Sequence, residues 1–321
     1  MPSEAPAIIA PKMDEQLDRI PLGRTGLTIT RLGLGTAPLA SIFWGNDEAR
    51  GVATAARAVE RGIRLFDSAP LYGLGESETR LGRALATIAR DDVVVATKAG
   101  RSLVPSPDPH GSTDAVFDFS REATLRQLET SLERLGLDQI DIVHIHDPED
   151  HLPEAIDGTY AALDRLRREG VIRAVSLGTN VVATARYFLR NADLDCVMVA
   201  GRLTLLDQSA AVDLVPDCRR AGVAYLAAGV FNSGVLADPR PGSWFDYAPA
   251  SSDLLERAAA IRAICASHGV SLHAAALHYP LTVDGVTAVI VGMSSPTEVD
   301  DNLAALDSAI PPALWSDLTT Q

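Results

Sequence analysis

The chain has 321 residues and 47% of them are hydrophobic, so it can form one large domain or two of ordinary size with an ample core. Its 42 acidic and 28 basic residues give a formal net charge of -14, which opposes general electrostatic binding to nucleic acids and anionic membranes. Because no apolar stretch could span a bilayer and the N-terminus lacks the pattern of a signal peptide, we expect no membrane association and a cytoplasmic location.

The first predicted element is a β-hairpin in the segment DRIPLGRTGLTIT, where two short β-prone runs flank a glycine-rich turn. Such a hairpin could cap the floor of a barrel. No linker or low-complexity segment follows residue 18, so we expect an N-terminal tail over residues 1–18 and a single domain over residues 19–321.

Eight short β-prone apolar runs alternate with longer amphipathic segments along the rest of the chain. The runs cover residues 30–36, 63–69, 92–100, 141–147, 174–180, 195–202, 223–230 and 288–293. The segments between them carry helix start and stop signals: Asn46 to Glu48 opens one that ends at Gly62, and Ser120 opens one that ends at Gly136. Eight such units are most economically closed into a (β/α)8 TIM barrel, although a doubly wound open sheet fits the alternation less well.

The longest irregular stretches, residues 100–118 and 229–250, follow the third and seventh runs. In a barrel these loops lie at the rim, and polar residues at the carboxyl ends of the strands converge on one pocket. The strand ends supply Asp67 and Tyr72 after the second run, Lys98 in the third, His146 in the fourth and Asn180 after the fifth.

These side chains suit proton transfer to or from an alcohol or a carbonyl. A phenol has a reference pKa of about 10 and is a poor acid or base at neutral pH unless its anion is stabilised. A lysine ammonium can stabilise that anion, a carboxylate can keep the lysine charged, and a histidine can orient the substrate oxygen. Taken singly, each residue also has a structural explanation, as a loop or cap residue, a rim aromatic, an ion-pair partner or a buried core histidine.

The sequence resembles the aldo-keto reductase family in four ordered motifs that cover nearly the whole chain. PLGRTGLTITRLGLGT looks like the family's opening hairpin and first strand, FDSAPLYG like its Asp and Tyr motif, VVVATKAG like its lysine strand, and IDIVHIHDP like its histidine strand. The resemblance implies a catalytic tetrad of Asp67, Tyr72, Lys98 and His146, with Tyr72 as the acid or base. It also implies a nicotinamide cofactor that lies extended across the barrel mouth without a Rossmann domain.

The resemblance extends to the segments that would hold this cofactor. Asn180 follows the fifth run where the family binds the carboxamide, GVFNSGVL resembles the family's pyrophosphate loop, and VGMSSPTEVDDN resembles its adenosine site. The implied cofactor-binding residues are Thr179, Asn180, Gly229, Phe231, Asn232, Ser233, Gly234, Gly292, Ser294, Glu298, Asp301 and Asn302. Gly73 and Gly75, which do not complete a GxGxxG fingerprint, are interpreted as turn formers.

The adenosine motif departs from that of NADP-using relatives, which typically carry a lysine or arginine against the 2'-phosphate. Here the aligned positions are Gly292 and Glu298, and no basic residue occurs from Gly292 to Asn302. A carboxylate repels a phosphate but can accept a hydrogen bond from a ribose 2'-hydroxyl, so we expect NAD as the cofactor. The alternative is that Glu298 simply occupies the favourable N-terminus of a helix.

A second departure follows the sixth run, where the family usually has a glutamine and then an aromatic residue that stacks on the nicotinamide. Ala200 and Leu203 occupy those positions here, and a leucine can pack against the ring but has no π face. The segment AGRLTLLDQ nevertheless resembles that of a subgroup of bacterial and plant aldose dehydrogenases.

Together these features predict NAD-dependent oxidation of a small-molecule cyclic hemiacetal, such as L-fucose, D-arabinose or L-galactose, to its lactone. Pyridoxal, which also closes to a hemiacetal, is the alternative substrate. Tyr72 would accept the hydroxyl proton, His146 would position that oxygen, and Trp44 would line the substrate pocket, with Trp244 and Phe245 as further candidates. Ordinary rim packing is the competing interpretation of these aromatics.

Two other classes of function, a metal-dependent hydrolase and a non-catalytic module, are compatible with parts of the sequence. His144 and His146 point to one face of their strand, and an HxH pair binds metal in amidohydrolase barrels. Such a site needs further ligands, so we expect no metal and interpret His144 as an inward-packed residue one layer below His146. A non-catalytic cofactor-sensing module on the same barrel is the third interpretation. The widely spaced Cys196, Cys218 and Cys265 are expected to be buried small hydrophobes.

Overall fold

Eight parallel strands close into a barrel in the computed structural model, which describes residue 17 and residues 19–41, 45–106, 113–246 and 248–319. The strands are β1 (Arg19–Pro21), β2 (Thr28–Thr30), β3 (Leu32–Gly35), β4 (Leu65–Asp67), β5 (Val94–Ala99), β6 (Arg101–Pro105), β7 (Thr113–Phe117), β8 (Ile142–His146), β9 (Ala174–Thr179), β10 (Cys196–Ala200), β11 (Ala224–Ala228), β12 (Trp244–Phe245), β13 (Ala248–Pro249) and β14 (Val286–Gly292). The barrel order is β3, β4, β5, β8, β9, β10, β11 and β14, and β14 pairs with β3 to close it. Each predicted run overlaps one barrel strand, so the predicted (β/α)8 TIM barrel is confirmed.

Helices cover the outside of the barrel between successive strands. They are α1 (Glu48–Glu60), α2 (Glu76–Leu85), α3 (Arg121–Leu135), α4 (Leu152–Glu154), α5 (Ala161–Arg168), α6 (Val182–Asn191), α7 (Ser209–Val212), α8 (Leu214–Ala221), α9 (Ser252–Ser267), α10 (Leu272–His278), α11 (Pro296–Leu306) and α12 (Pro312–Thr319). The predicted start signals act as caps: the Asp47 side chain accepts a hydrogen bond from the Arg50 amide, and the Ser120 side chain accepts one from the Ala123 amide. Among the described helices, none combines the length and the apolar character needed to cross a membrane.

The hairpin formed by β1 and β2 lies under the barrel floor, as predicted. Leu22, Leu27 and Ile29 pack against inward-facing side chains near the amino ends of the barrel strands. These partners include Leu65, Val94, Ala96, Ile142, Ala174, Cys196, Met198, Ala224, Leu226, Ala288 and Ile290. Because this end is a packed apolar core, a ligand has access only from the opposite end, the barrel mouth.

The two-residue period of the strands decides which side chains reach the mouth. In β4, Leu65 packs in the floor core and Phe66 in the outer core against the helices, so Asp67 lies on the inward face above Leu65. The same alternation places Lys98 above Ala96 in β5. In β8 it places His144 and His146 in successive layers above Ile142.

Both long rim segments contain β-structure, so their prediction as irregular loops is wrong in part. β6 and β7 form an antiparallel hairpin with Arg101 opposite Phe117, and β12 and β13 form a shorter pair. Pro105 in β6 and the polar sequence that follows it weaken the sequence signal of such short edge strands. The ring of Phe117 stacks on Phe119 with centroids 5.9 Å apart, which gives this part of the rim an ordered wall.

The three cysteines are buried and free of disulfide bonds, as expected. Burial raises the pKa of Cys196 to about 12, that of Cys218 to about 12 and that of Cys265 to about 11. The thiols are therefore protonated at neutral pH and act as small hydrophobic side chains.

Candidate active site

A buried ion pair joins the mouth ends of β4 and β5. Nζ of Lys98 donates hydrogen bonds to Oδ1 and Oδ2 of Asp67, at 2.8 and 2.7 Å, and to the carbonyl oxygen of Ser68 at 2.8 Å. Burial would raise the pKa of the Asp67 carboxyl, but the Lys98 charge and the His144 ring together hold that pKa below its ordinary value. Asp67 is therefore ionised at neutral pH and fixes the direction of the lysine ammonium.

Tyr72 returns over this ion pair from a tight turn. It begins the 3₁₀ turn Tyr72–Gly75, in which Gly73 and Gly75 have positive φ angles of 61° and 97°. A Cβ atom at Gly73 would lie 2.3 Å from the Cβ of Ala40, so the turn requires glycine there. Nζ of Lys98 lies 4.8 Å from the centroid of the Tyr72 ring. An ammonium this close stabilises a phenolate electrostatically.

His146 faces Tyr72 across the mouth. The two rings are perpendicular, with centroids 6.3 Å apart. Burial, together with the positive charges of Lys98 and Arg101, holds the pKa of His146 well below its ordinary value. The ring is therefore neutral near pH 7 and can donate only one N–H hydrogen bond.

His144 lies one layer deeper and contacts the ion pair directly, which the sequence pattern did not indicate. It is paired in register with Lys98, and its Nε2 atom lies 3.2 Å from Oδ1 of Asp67. Burial lowers the pKa of His144, so its ring is neutral in the folded protein near pH 7. Asp67 and Lys98 thus share their buried cluster with His144, and Tyr72 and His146 lie above it at the mouth.

A closed (β/α)8 barrel that places an Asp–Lys pair, a tyrosine and a neutral histidine at its mouth is the arrangement implied by the four motifs. The sequence model of the Aldo/keto reductase family matches residues 31–320. The chain belongs to the aldo/keto reductase family. It is accordingly an oxidoreductase, and members of its family use nicotinamide cofactors.

Three relatives of known activity align over most of the chain. A D-threo-aldose 1-dehydrogenase from Pseudomonas sp is 42% identical over 311 residues, which is 91% of this chain and 94% of the relative. A pyridoxal 4-dehydrogenase from Microbacterium luteolum is 36% identical, with 94% and 96% of the two chains covered. An L-galactose dehydrogenase from Arabidopsis thaliana is 34% identical, with 89% and 86% covered.

Solved structures share the architecture over nearly the full length. An aldo-keto reductase from Bacillus halodurans, solved in its holo form, superimposes with a TM-score of 0.78 at 25% identity and covers 94% of this chain and 95% of its own. A glycerol dehydrogenase from Gluconobacter oxydans superimposes with a TM-score of 0.76 at 24% identity, with 95% and 94% covered, and supports the fold alone.

Thr179 and Asn180 lie at the end of β9, the strand next to β8 in the barrel. The hydroxyl of Thr179 bonds to Glu149 and accepts a hydrogen bond from the Val181 amide at 3.0 Å. The carbonyl oxygen of Asn180 accepts a hydrogen bond from Nε of Arg202 at 2.8 Å. The structure records no hydrogen bond to the Asn180 side-chain amide within the part of the chain that it describes, so this amide can bind a ligand.

The loop after β11 contains a run of left-handed residues. Gly229, Asn232, Ser233 and Gly234 have φ angles of 61°, 45°, 57° and 97°. Within residues 19–41, 45–106, 113–246 and 248–319, the backbone amides of Phe231 and Ser233 make no hydrogen bond. Free amides on a left-handed loop form a concave site for an anion, which agrees with the predicted pyrophosphate loop.

Glu298 is half-buried, and its carboxylate binds a residue before its own helix. Its carboxylate accepts hydrogen bonds from the amide and hydroxyl of Ser294, at 2.6 and 2.7 Å. Ser295 caps α11 by accepting a hydrogen bond from the Glu298 amide at 3.2 Å. A carboxylate therefore occupies the N–H and O–H donors that a phosphate could otherwise use, beside the exposed Gly292.

Asp301 and Asn302 differ in their availability. Asp301 is exposed, whereas Asn302 is buried and both of its polar atoms are bound. Its Oδ1 lies 2.9 Å from Nε2 of His273, and its Nδ2 donates to the carbonyl oxygen of Glu298 at 2.7 Å. The His273 ring also packs edge-on against Phe231, with centroids 4.8 Å apart. His273, which the sequence did not single out, thus links the adenosine segment to the loop after β11.

The predicted substrate wall is only partly placed. Trp44 lies outside the described residues. Trp244 is 54% exposed on the rim, and Phe245 is half-buried beside it.

Leu203, at the position where the family usually has an aromatic residue that stacks on the nicotinamide, is 1% exposed and belongs to the outer core. Arg202 reaches the mouth instead and pairs with Asp246 at 2.7 Å. Among the residues described, no group of three or more His, Cys, Asp or Glu side chains could hold a metal ion.

Proposed function

We propose that this protein oxidises the cyclic hemiacetal of an aldose to its lactone with NAD. The observation that carries the proposal is the cluster of Asp67, Lys98, Tyr72 and neutral His146 in a chain that is 42% identical to a D-threo-aldose 1-dehydrogenase. L-Fucose, D-arabinose and L-galactose are the substrates we expect.

Proton transfer is the part of the reaction that these side chains perform. Tyr72 accepts the proton of the anomeric hydroxyl, because the Lys98 ammonium stabilises the phenolate and Asp67 holds that ammonium in place. His146 donates its single N–H to the same oxygen and orients it toward Tyr72. A nicotinamide bound beside them supplies the hydride acceptor.

The barrel mouth offers groups that fit a dinucleotide. The Asn180 side chain would bind the carboxamide, and the free amides of Phe231 and Ser233 would bind the pyrophosphate. Glu298 supports a preference for NAD over NADP, because its carboxylate already occupies the donors of Ser294 and would repel a 2'-phosphate. NAD is largely oxidised in cells, which favours the oxidative direction.

A panel of L-fucose, D-arabinose, L-galactose and pyridoxal, each with NAD and NADP and followed at the NADH absorbance, tests the proposal. We expect the highest kcat/KM for an aldose with NAD, and a lactone as the product by NMR. Pyridoxal is the second candidate, because a pyridoxal 4-dehydrogenase is 36% identical over almost the same length. Reduction of aldehydes with NADPH and no oxidation of any sugar would contradict the proposal.

A further inference from the structure

Asp147 follows the catalytic strand β8 in a conformation that non-glycine residues rarely adopt. Its φ angle is 45°, and its amide donates a hydrogen bond to the carbonyl oxygen of Gly178 at 2.9 Å. Such strained residues persist where the surrounding structure fixes them, and they concentrate at functional sites. The turn places the carboxylate directly beside the ring of His146.

The contacts of the Asp147 carboxylate leave one of its oxygens free to accept a hydrogen bond. Nη2 of Arg101 binds Oδ2 of Asp147 at 2.8 Å, whereas Nε2 of His146 lies 3.6 Å from the same oxygen, too far for a hydrogen bond. Oδ1 makes no hydrogen bond within the described part of the chain, and the side chain is 30% exposed. Asp147 therefore presents an acceptor to the mouth next to the histidine donor.

Arg101 fixes the position of this acceptor. It starts β6, and its guanidinium lies over the ring of Phe117 in β7, 4.4 Å from the ring centroid. An arginine held by an aromatic ring and a carboxylate has little freedom to move. The rim hairpin thus orients Asp147, which in turn lies beside the catalytic histidine.

We propose that Asp147 accepts a hydrogen bond from the hydroxyl on the carbon next to the reacting carbon, with Arg101 as its positioning residue. This inference rests on the proposed function, in which His146 binds the reacting oxygen. The two oxygens of a vicinal diol lie about one hydrogen-bond length apart, so a substrate oxygen on His146 brings its neighbour to Asp147. The substrate class is therefore a 2-hydroxylated aldose. Pyridoxal has no hydroxyl on the ring carbon next to its reacting carbon and lacks this contact.

The experiment compares an aldose that the wild-type enzyme oxidises with its 2-deoxy analogue, in the wild type and in Asp147→Ala and Asp147→Asn. A hydrogen bond to a charged group is lost with the 2-hydroxyl, so we expect wild type to favour the parent sugar by about 10- to 100-fold in kcat/KM. Asp147→Ala should lose a similar factor on the parent sugar and little on the 2-deoxy sugar. Asp147→Asn, which keeps an acceptor, should lie between them.

If Asp147→Ala lowered kcat/KM equally on both sugars, the inference would be overturned, and the Arg101–Asp147 pair would serve only to hold the hairpin in place. A preference of the wild type for pyridoxal over every 2-hydroxylated aldose would also overturn it, while leaving hemiacetal oxidation intact. Absence of NADH with all sugars and pyridoxal would overturn the proposed function and the inference together. Asp150→Asn, an exposed carboxylate three residues further along, is the matched control and should retain the wild-type preference. Circular dichroism verifies that each variant is folded.

Discussion

The two halves of the barrel mouth are built by opposite means. The half that we propose to be catalytic, called the catalytic half below, lies at the ends of β4, β5 and β8. It consists of buried charged and neutral side chains around one ion pair, with Lys98 1% exposed against Asp67. The cofactor half, at the ends of β9, β11 and β14, offers backbone amides on a left-handed loop and the partly exposed carboxylate of Glu298. Proton transfer requires charges that are fixed before the substrate arrives, whereas a surface that binds and releases a cofactor must keep groups free.

The two halves should also contribute differently to the free energy of unfolding. Taking Lys98 and Asp67 out of water is costly, and the cost is offset only while both partners remain. The contacts of the cofactor half involve partly exposed groups, so their loss should change binding far more than folding.

The largest effect should come from Tyr72→Phe, which removes only the phenolic oxygen. General acid or base catalysis contributes about 10²- to 10⁴-fold, so we expect kcat for aldose oxidation to fall by about that factor. Unfolding in urea and the dissociation constant for NAD, measured by fluorescence, should change little. Tyr187→Phe, in α6 on the outside of the barrel, is the control; retention of wild-type kcat by Tyr72→Phe would refute its role as the base.

Lys98→Met should destabilise the fold itself. It leaves the Asp67 carboxylate buried without its cation, and breaking a buried pair on one side costs about 3–5 kcal/mol. Urea unfolding monitored by circular dichroism measures the change. Arg126→Met, which removes a 4.0 Å surface pair with Asp118, should cost no more than about 1 kcal/mol. Similar values for the two variants would mean that the stability of the fold does not depend on the buried pair of the catalytic half.

Glu298→Arg tests the cofactor half. The substitution frees the amide and hydroxyl of Ser294 and adds a cation that can bind a 2'-phosphate. We expect the ratio of kcat/KM with NADP to that with NAD to rise by about 10-fold, which is a change of about 1.4 kcal/mol. Asp307→Arg makes the same charge change at the other end of α11 and should leave the ratio unchanged. A wild-type ratio that already favours NADP would contradict the assignment of NAD.

The sequence predicted the barrel fold and the location of Asp67, Lys98 and His146 at its mouth, because both depend on local signals. Each barrel strand is a short apolar run, and caps such as Asp47 and Ser120 mark the helices. Because the carboxyl ends of barrel strands converge on one pocket, Asp67, Lys98 and His146 can be assigned to that pocket without any knowledge of distances.

Contacts that depend on strand register or on a rim hairpin were not predictable. His144 reaches Asp67 only because β5 and β8 pair with Lys98 opposite His144. Arg101 reaches Asp147 only because residues 101–117 fold into a hairpin rather than an irregular loop. In the cofactor half, every residue except proline has a backbone N–H, so the residue types do not show which amides remain free of hydrogen bonds. The glycines of the sequence indicated the loop but not its free amides.

The smallest effect concerns the pH dependence of stability, which distinguishes His144 in the catalytic half from a buried histidine elsewhere. Burial lowers the pKa of His144 and of His278, so below an unfolded-state pKa of about 6.5 the unfolded chain binds protons that the folded chain does not. Stability therefore falls as the pH drops from about 7 to 5. His144→Gln and His278→Gln should each make this fall shallower, by at most about 1.4 kcal/mol per pH unit in urea unfolding.

Only one of the two variants should also affect turnover. Nε2 of His144 lies 3.2 Å from the Asp67 carboxylate that Lys98 also binds, whereas Nε2 of His278 lies 3.2 Å from the carbonyl oxygen of Ala305. His144→Gln should therefore lower kcat several-fold, because the glutamine cannot reproduce the ring's position against Asp67, and His278→Gln should leave kcat unchanged. Equal kcat values for both variants would show that Lys98 alone orients Asp67, and that the catalytic half is smaller than the cluster seen here.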